Sequence, residues 1–251
     1  MTTDPNAPIQ GGADKIHSES TEFWVPKGSL DVRDYIKQDH KQGTHHLGRY
    51  TWALPVVKGR KRILDIACGA GYGSKLMADA HPESEIVGVD YDGRAVAHAR
   101  EHYRADNLRF EAGNMVRWEI ENGKSLGQFD CIVSFDTIEH LLHREIALLN
   151  FAENLSADGM LLLSTPCGKA EDLLNPGWEH HKIEYSSFSL HNLLRRFFGE
   201  VLHTAAGTLP NQAFWDEVIN GDRPRYLNKM NPAVCLKPIQ LAAETGRAPR
   251  P

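Results

Sequence analysis

An apolar run, Ile63-Leu64-Asp65-Ile66, breaks at Ala67-Cys68 into alternating glycines, Gly69, Gly71 and Gly73, and resumes after Ser74 as the helical pattern Lys75-Leu76-Met77-Ala78-Asp79-Ala80. No other feature of the chain so narrows the folds open to it. A short apolar segment closed by turn residues and followed by helical periodicity reads as a buried parallel strand, a tight turn and a helix start. Open α/β sheets bind nucleotide-like ligands at such a turn, outside the carboxyl ends of their strands. Glycine is needed there because the backbone must adopt angles that side chains disfavour and must let a ligand approach it closely.

The flanking residues say which kind of ligand. A dinucleotide fingerprint runs G-x-G-x-x-G/A, but here Ser74 stands at the third small position. Asp65, just ahead of the loop, would repel a pyrophosphate and attract an ammonium or sulfonium. Roughly 20 residues on, Glu85-Ile86-Val87-Gly88-Val89-Asp90-Tyr91-Asp92 reads as a second strand ending in an acid. Asp90 is placed to accept both hydroxyls of a ribose. The ligand inferred carries a ribose and a positive tail, and no phosphate.

Asp65-Ile66-Ala67-Cys68-Gly69-Ala70-Gly71-Tyr72-Gly73, Val87-Gly88-Val89-Asp90 and Phe129-Asp130-Cys131-Ile132-Val133-Ser134-Phe135 resemble successive motifs of the class I S-adenosylmethionine-dependent methyltransferases, in order and spacing, over residues 43–206. The resemblance implies an α/β fold: a three-layer, Rossmann-like, seven-stranded, mostly parallel sheet with an antiparallel edge hairpin. It implies S-adenosyl-L-methionine as cofactor, held by Asp65, Ala67, Gly69, Gly71, Tyr72, Asp90 and Phe135. Tyr91 is expected along the adenine edge, Asn114 at the adenine amino group and Met115 beside it through its backbone. The segment Gly43-Thr44-His45-His46-Leu47-Gly48-Arg49-Tyr50 resembles the helix that caps the cofactor's methionine end in related enzymes, which places Arg49 to pair with its carboxylate.

Strands are expected near 62–67, 85–90, 108–112, 129–135 and 159–165, and helices near 30–40, 46–57, 74–81, 92–104, 143–155 and 187–197. Alternation of the two demands a parallel sheet with right-handed crossovers. Phe198 to Thr204 and Pro232 to Lys237 supply the edge hairpin. At 251 residues the chain suits one catalytic domain, 29–238, with cap helices in 29–60 and loop insertions at 166–186 and 208–231. Residues 1–28 and 239–251 are expected to be flexible; the amino terminus lacks the apolar core of a secretory signal. No run approaches the length of a membrane span. A net charge of −5 argues against a nucleic-acid partner. Cys68, Cys131, Cys167 and Cys235 lack disulfide or metal spacing, which points to a reduced, cytoplasmic protein.

Transfer of a methyl from a sulfonium is an in-line displacement that needs alignment and a nucleophile relieved of its proton. A hydroxyl needs a base for this, whereas an amine of low pKa attacks as it is. In Phe135-Asp136-Thr137-Ile138-Glu139-His140-Leu141, His140 lies just past the fourth strand with Glu139 beside it. Two carboxylates and an imidazole within one turn could hold a divalent ion. The pattern is similar to the metal-associated Glu-x-x-Glu-His of ubiquinone-pathway O-methyltransferases. It has the shorter aspartate first, and the expectation is a site with no metal.

After the fifth strand, Asn175-Pro176-Gly177-Trp178-Glu179-His180-His181-Lys182-Ile183-Glu184-Tyr185-Ser186 resembles the Asn-Pro-x-His-x-x-Glu-Tyr segment of bacterial methyltransferases encoded among sugar and natural-product genes. Trp178, His180, Tyr185 and Trp215 are then expected to line an acceptor pocket, with His181 as an alternative base; Glu184 and Ser186 also suit a helix cap. The function expected is O-methylation of a small-molecule acceptor, a sugar or secondary metabolite in bacterial biosynthesis. N-methylation of a small amine and a non-catalytic S-adenosylmethionine-binding subunit are the alternatives. Oligomeric state is left open.

Overall fold

The computed structural model describes residues 42–169, 172–174, 181–203 and 231–238. Helix α1 (Gln42–Val57) precedes strand β1 (Arg62–Ile66), and the glycine turn leads into α2 (Tyr72–Ala80). Then follow β2 (Glu85–Asp90), α3 (Gly93–His102), β3 (Leu108–Asn114), β4 (Phe129–Phe135), α4 (Arg144–Asn154) and β5 (Leu155–Thr165). Helix α5 (Ser187–Arg195) and the strands β6 (Phe198–His203) and β7 (Asn231–Pro238) complete the order.

The seven principal strands lie in the order β6-β7-β5-β4-β1-β2-β3. Pairing is parallel from β5 through β3 and antiparallel where β7 meets β5 and β6. The expected seven-stranded, mostly parallel sheet with an antiparallel edge pair is therefore the observed one. From β1 the chain winds outward through β2 and β3, then returns to lay β4 on the other side of β1. That reversal opens a crevice at the carboxyl ends of β1 and β4, where ligands bind in sheets of this kind.

Strict alternation along the strands feeds both faces. Leu64, Ile66, Val87, Val89, Ile132, Leu161 and Leu163 pack on one side with Leu148 and Phe151 of α4 and Leu190 and Leu194 of α5. Ile63, Ile86, Cys131, Val133, Met160 and Leu162 pack on the other with Leu47, Tyr50 and Ala53 of α1, Met77 of α2 and Val96 and Ala99 of α3. These are the three layers.

Element limits follow the sequence expectation closely, except that α1 begins at Gln42 and not at 46, and that β5 starts early. Strand β5 begins at Leu155, not near 159, because Leu155 already pairs with Phe129 ahead of a register shift. The expected helix over 30–40 lies outside the described residues, as does the 208–231 insertion up to residue 230. The segment expected as a loop insertion at 166–186 contains short strands, Cys167–Lys169, Leu173–Leu174 and Ile183–Ser186, in a separate three-stranded ribbon. A second small ribbon, Glu119–Ile120 with Lys124–Ser125, extends the sheet beyond β3.

Candidate active site

The glycine turn is built from left-handed backbone. Ala67, Gly69 and Gly71 have φ of 62°, 55° and 89°. Ala67 holds that angle although it has a side chain, a cost of order 1 kcal/mol that marks functional turns. The Cys68 N–H donates to the Val89 carbonyl at 3.0 Å, and the Gly69 N–H donates to Asp90 Oδ2 at 2.8 Å, so the turn is moored to the end of β2. Asp90 Oδ1 accepts from the Asp92 N–H at 2.9 Å, and Asp92 in turn caps α3 through the Arg94 N–H. Tyr91, between them, is exposed.

Asp65 shares its strand face with Ile63 and so points toward α1 and α2. Its carboxylate is buried, accepting from the Tyr50 hydroxyl at 3.1 Å and the Ser74 hydroxyl at 2.6 Å. Burial pushes its pKa up to about 7, against the opposing pull of both hydrogen bonds. The Tyr50 ring also meets Tyr72 and Phe135 edge-on, at centroid separations of 5.6 and 5.2 Å. Tyr72 and Phe135, two of the expected cofactor contacts, thus both pack against Tyr50. Sequence reasoning missed Tyr50, since nothing local ties a helix residue to a strand acid fifteen positions later. Ser74 was visible as the odd residue of the glycine pattern.

At the end of β3, Asn114 Oδ1 accepts from the N–H groups of Val116 and Arg117 at 2.8 and 3.1 Å, forming a turn. The Met115 carbonyl accepts from Asn150 of α4 at 2.8 Å. What Asn114 still has to offer a ligand is its amide N–H pair.

Arg49, buried on α1, lies 2.5 Å from Asp136 Oδ2. Asp136 follows β4 in left-handed backbone, φ 49°, and accepts from Ser164 Oγ at 2.9 Å. The arginine expected to meet the cofactor carboxylate is therefore paired with a protein carboxylate at the same end of the sheet.

Beyond Asp136 a turn of 3-10 helix, Ile138–His140, carries the acid–histidine pair. Glu139 is fully buried; its Oε2 accepts from Thr165 Oγ1 at 2.8 Å, while Oε1 accepts no hydrogen bond among the described residues. Burial, reinforced by Asp136, pushes the Glu139 pKa well up. The Glu139 carbonyl accepts from the Lys182 N–H at 2.7 Å. That bond holds the segment after β5 against the segment after β4, and with it His181. The rings of His140 and His181 meet edge-on, centroids 4.8 Å apart. His140 Nε2 lies 3.8 Å from Glu139 Oε1, and His181 Nδ1 is 3.1 Å from Glu184 Oε1. The structure therefore joins His140 and His181, which the sequence offered as alternatives.

Tyr185, expected on a pocket wall, is buried and belongs to the same core cluster as Ile183 and Leu190. Its neighbour Ser186 caps α5 through the Ser189 N–H. Trp178, His180 and Trp215 lie outside the described residues.

A parallel sheet with its glycine turn at the switch point, an acid near the end of β1 and another closing β2 define the nucleoside-binding class of α/β proteins. Within that class the chain matches a family model described as methyltransferase domain over residues 58–220, and it belongs to that family. It is a class I S-adenosylmethionine-dependent methyltransferase domain, and S-adenosyl-L-methionine is its cofactor. It is 28% identical over 144 residues to a malonyl-[acyl-carrier protein] O-methyltransferase of Bacillus cereus, covering 57% of this chain and 52% of that one. It is 33% identical over 104 residues to a probable S-adenosylmethionine-dependent methyltransferase of Mycolicibacterium smegmatis, covering 41% of this chain and 37% of that one. The chain thus spans about half, or less, of the curated relatives it matches. Among solved structures, the N-methyltransferase NodS from Bradyrhizobium japonicum with S-adenosyl-L-homocysteine superposes with a TM-score of 0.56 at 16% identity, over 80% of this chain and 90% of that one. No helix of the described residues is long and apolar enough to cross a membrane.

Proposed function

We propose that this protein methylates a hydroxyl of a small molecule, a sugar or secondary metabolite, with the acceptor activated at the Glu139–His140–His181 cluster. In this reading the donor lies over the glycine turn, with Asp90 on its ribose and Tyr91 and Asn114 along its adenine. The adenine faces the Asn114 amide N–H groups, because the Oδ1 is held in the turn. Tyr72 and Phe135 border the methionine end, and Arg49 serves its carboxylate from its seat on Asp136. The acceptor oxygen attacks the methyl carbon in line; the carbon–sulfur bond breaks with its electron pair to sulfur, leaving S-adenosylhomocysteine. In the cluster as built, an imidazole is the group that takes the hydroxyl proton.

The observation that carries this reading is the convergence of two histidines on a buried acid at the carboxyl end of β4, next to the strand that feeds the donor turn. An amine acceptor of low pKa needs no such group. The test is a screen of hydroxylated and amine metabolites with radiolabelled methyl donor, followed by His140→Ala and His181→Ala. Loss of a positioned base lowers turnover by roughly 10²–10⁴-fold. Unchanged turnover in both variants would turn the reading toward a small amine.

A further inference from the structure

We infer that Glu139, His140 and His181 form a binding site for one divalent first-row transition ion, of the zinc or cobalt type. The inference rests on the reading of this cluster as the acceptor-activating group and says what activates there. Each of the three residues offers one ligand atom, and these atoms all lie within 4.8 Å of one another. Donors bound to one such ion at about 2.0–2.2 Å stand roughly 3–4 Å apart, so closure asks only small side-chain rotations. Glu139 Oε1 and His140 Nε2, at 3.8 Å, are already at that spacing.

A second, independent feature is the state of the acid. Glu139 is completely buried, its Oε2 is held by Thr165, and Oε1 faces His140 without accepting a hydrogen bond from any described residue. A buried carboxyl oxygen left without a hydrogen-bond partner costs stability, and a cation that displaces the acid's proton would complete it. The surroundings are also those of a ligand set. His181 Nδ1 pairs with Glu184 Oε1, and donation to that carboxylate puts the imidazole lone pair on Nε2. Thr165 orients Glu139 in the same manner.

The chemistry of the donors selects the ion. Two imidazoles and one carboxylate suit zinc or cobalt, whereas magnesium and calcium prefer oxygen alone. Asp136, the first acid of the sequence pattern on which the expectation of no metal turned, is engaged with Arg49 and lies outside this ligand set. Three protein ligands leave a position open, as catalytic sites do, and a hydroxyl bound there loses its proton near neutral pH. With the ion seated, both imidazoles are ligands and the proton no longer needs one of them as base.

The test uses the full chain, stripped of metal with a chelator and then titrated with Co²⁺ while visible absorption is read. S-adenosylhomocysteine affinity is measured alongside by calorimetry. One equivalent of Co²⁺ is expected to give tetrahedral or five-coordinate bands, displaced by Zn²⁺ but not by millimolar Mg²⁺. Glu139→Gln, His140→Gln and His181→Ala are each expected to weaken Co²⁺ by more than about tenfold with S-adenosylhomocysteine affinity intact, the latter also reporting that the variants fold. Absent bands, equal Co²⁺ affinity in all three variants, or displacement by Mg²⁺ at the same concentration as Zn²⁺ would overturn the site. The hydroxyl-transfer reading fails on a different observation, unchanged turnover in the histidine variants, so the two are separable.

Discussion

Asp65 shows how one side chain can serve the fold and the site in conflicting ways. It is ionisable, buried, and held by two hydroxyls that favour its charged form, yet burial outweighs them and its pKa stands at about 7. A carboxyl whose folded pKa exceeds its unfolded value holds its proton more tightly in the native state. Its contribution to stability is therefore full below pH 4 and is lost as pH rises toward 7. With about 1.4 kcal/mol per pKa unit, the loss amounts to no more than about 4.5 kcal/mol. The ligand-free protein is expected to melt at a lower temperature at pH 8 than at pH 5.5, and Asp65→Asn should flatten that part of the profile; differential scanning calorimetry across the range decides it. The acid itself was legible from its place before the glycines. Its partner Tyr50 was not, because a hydrogen bond between a helix and a later strand exists only once both have packed. Arg49 and Asp136 repeat the lesson, since each was seen alone and their pairing is tertiary.

At the scale of elements, the cap helix, the glycine turn and the second helix behave as one packed unit. Gly73 marks the junction: a Cβ there would stand 2.0 Å from the Tyr50 ring, well inside contact distance. Its backbone angle is ordinary, so the need for glycine comes from close approach of α1 to α2 and not from strain. Gly73→Ala is expected to push Tyr50 off Asp65 and cost about 1–3 kcal/mol, read by urea denaturation. It should also weaken S-adenosylhomocysteine in calorimetry, since Tyr50 packs on both Tyr72 and Phe135. Existence and order of the main elements were legible because buried parallel strands and amphipathic helices write distinct periods into the sequence. The ribbon around Ile183–Ser186 was not, because its strands are too short to show a period. That ribbon is what carries His181 to His140, so the joining of the two histidines was hidden with it.

At the scale of the whole described molecule, the proposed function assigns the donor to one face of the sheet and the acceptor to the other. The donor side draws on one core: Cys68, Ala70, Tyr72 and Phe135 belong to the same packed set as α1, α2 and α3. The acceptor side draws on the other, where Ile138, Ile183 and Tyr185 pack with α4 and α5. Strands β1, β2, β4 and β5 feed both cores, and at the carboxyl ends of β1 and β4 the left-handed Ala67 and Asp136 turn the chain out of the sheet. Damage to one core should then separate donor binding from turnover. Ile138 is fully buried beside Glu139, and its truncation to alanine removes packing worth about 2–5 kcal/mol from the acceptor-side core. Ile138→Ala is expected to lower the melting temperature and to cut kcat by more than tenfold, through displacement of the Glu139–His140 turn. The S-adenosylhomocysteine dissociation constant should stay within about threefold of the original, less than 1 kcal/mol. A parallel loss of donor affinity, measured by calorimetry on the folded variant, would mean that the two cores act as one and that the division does not hold.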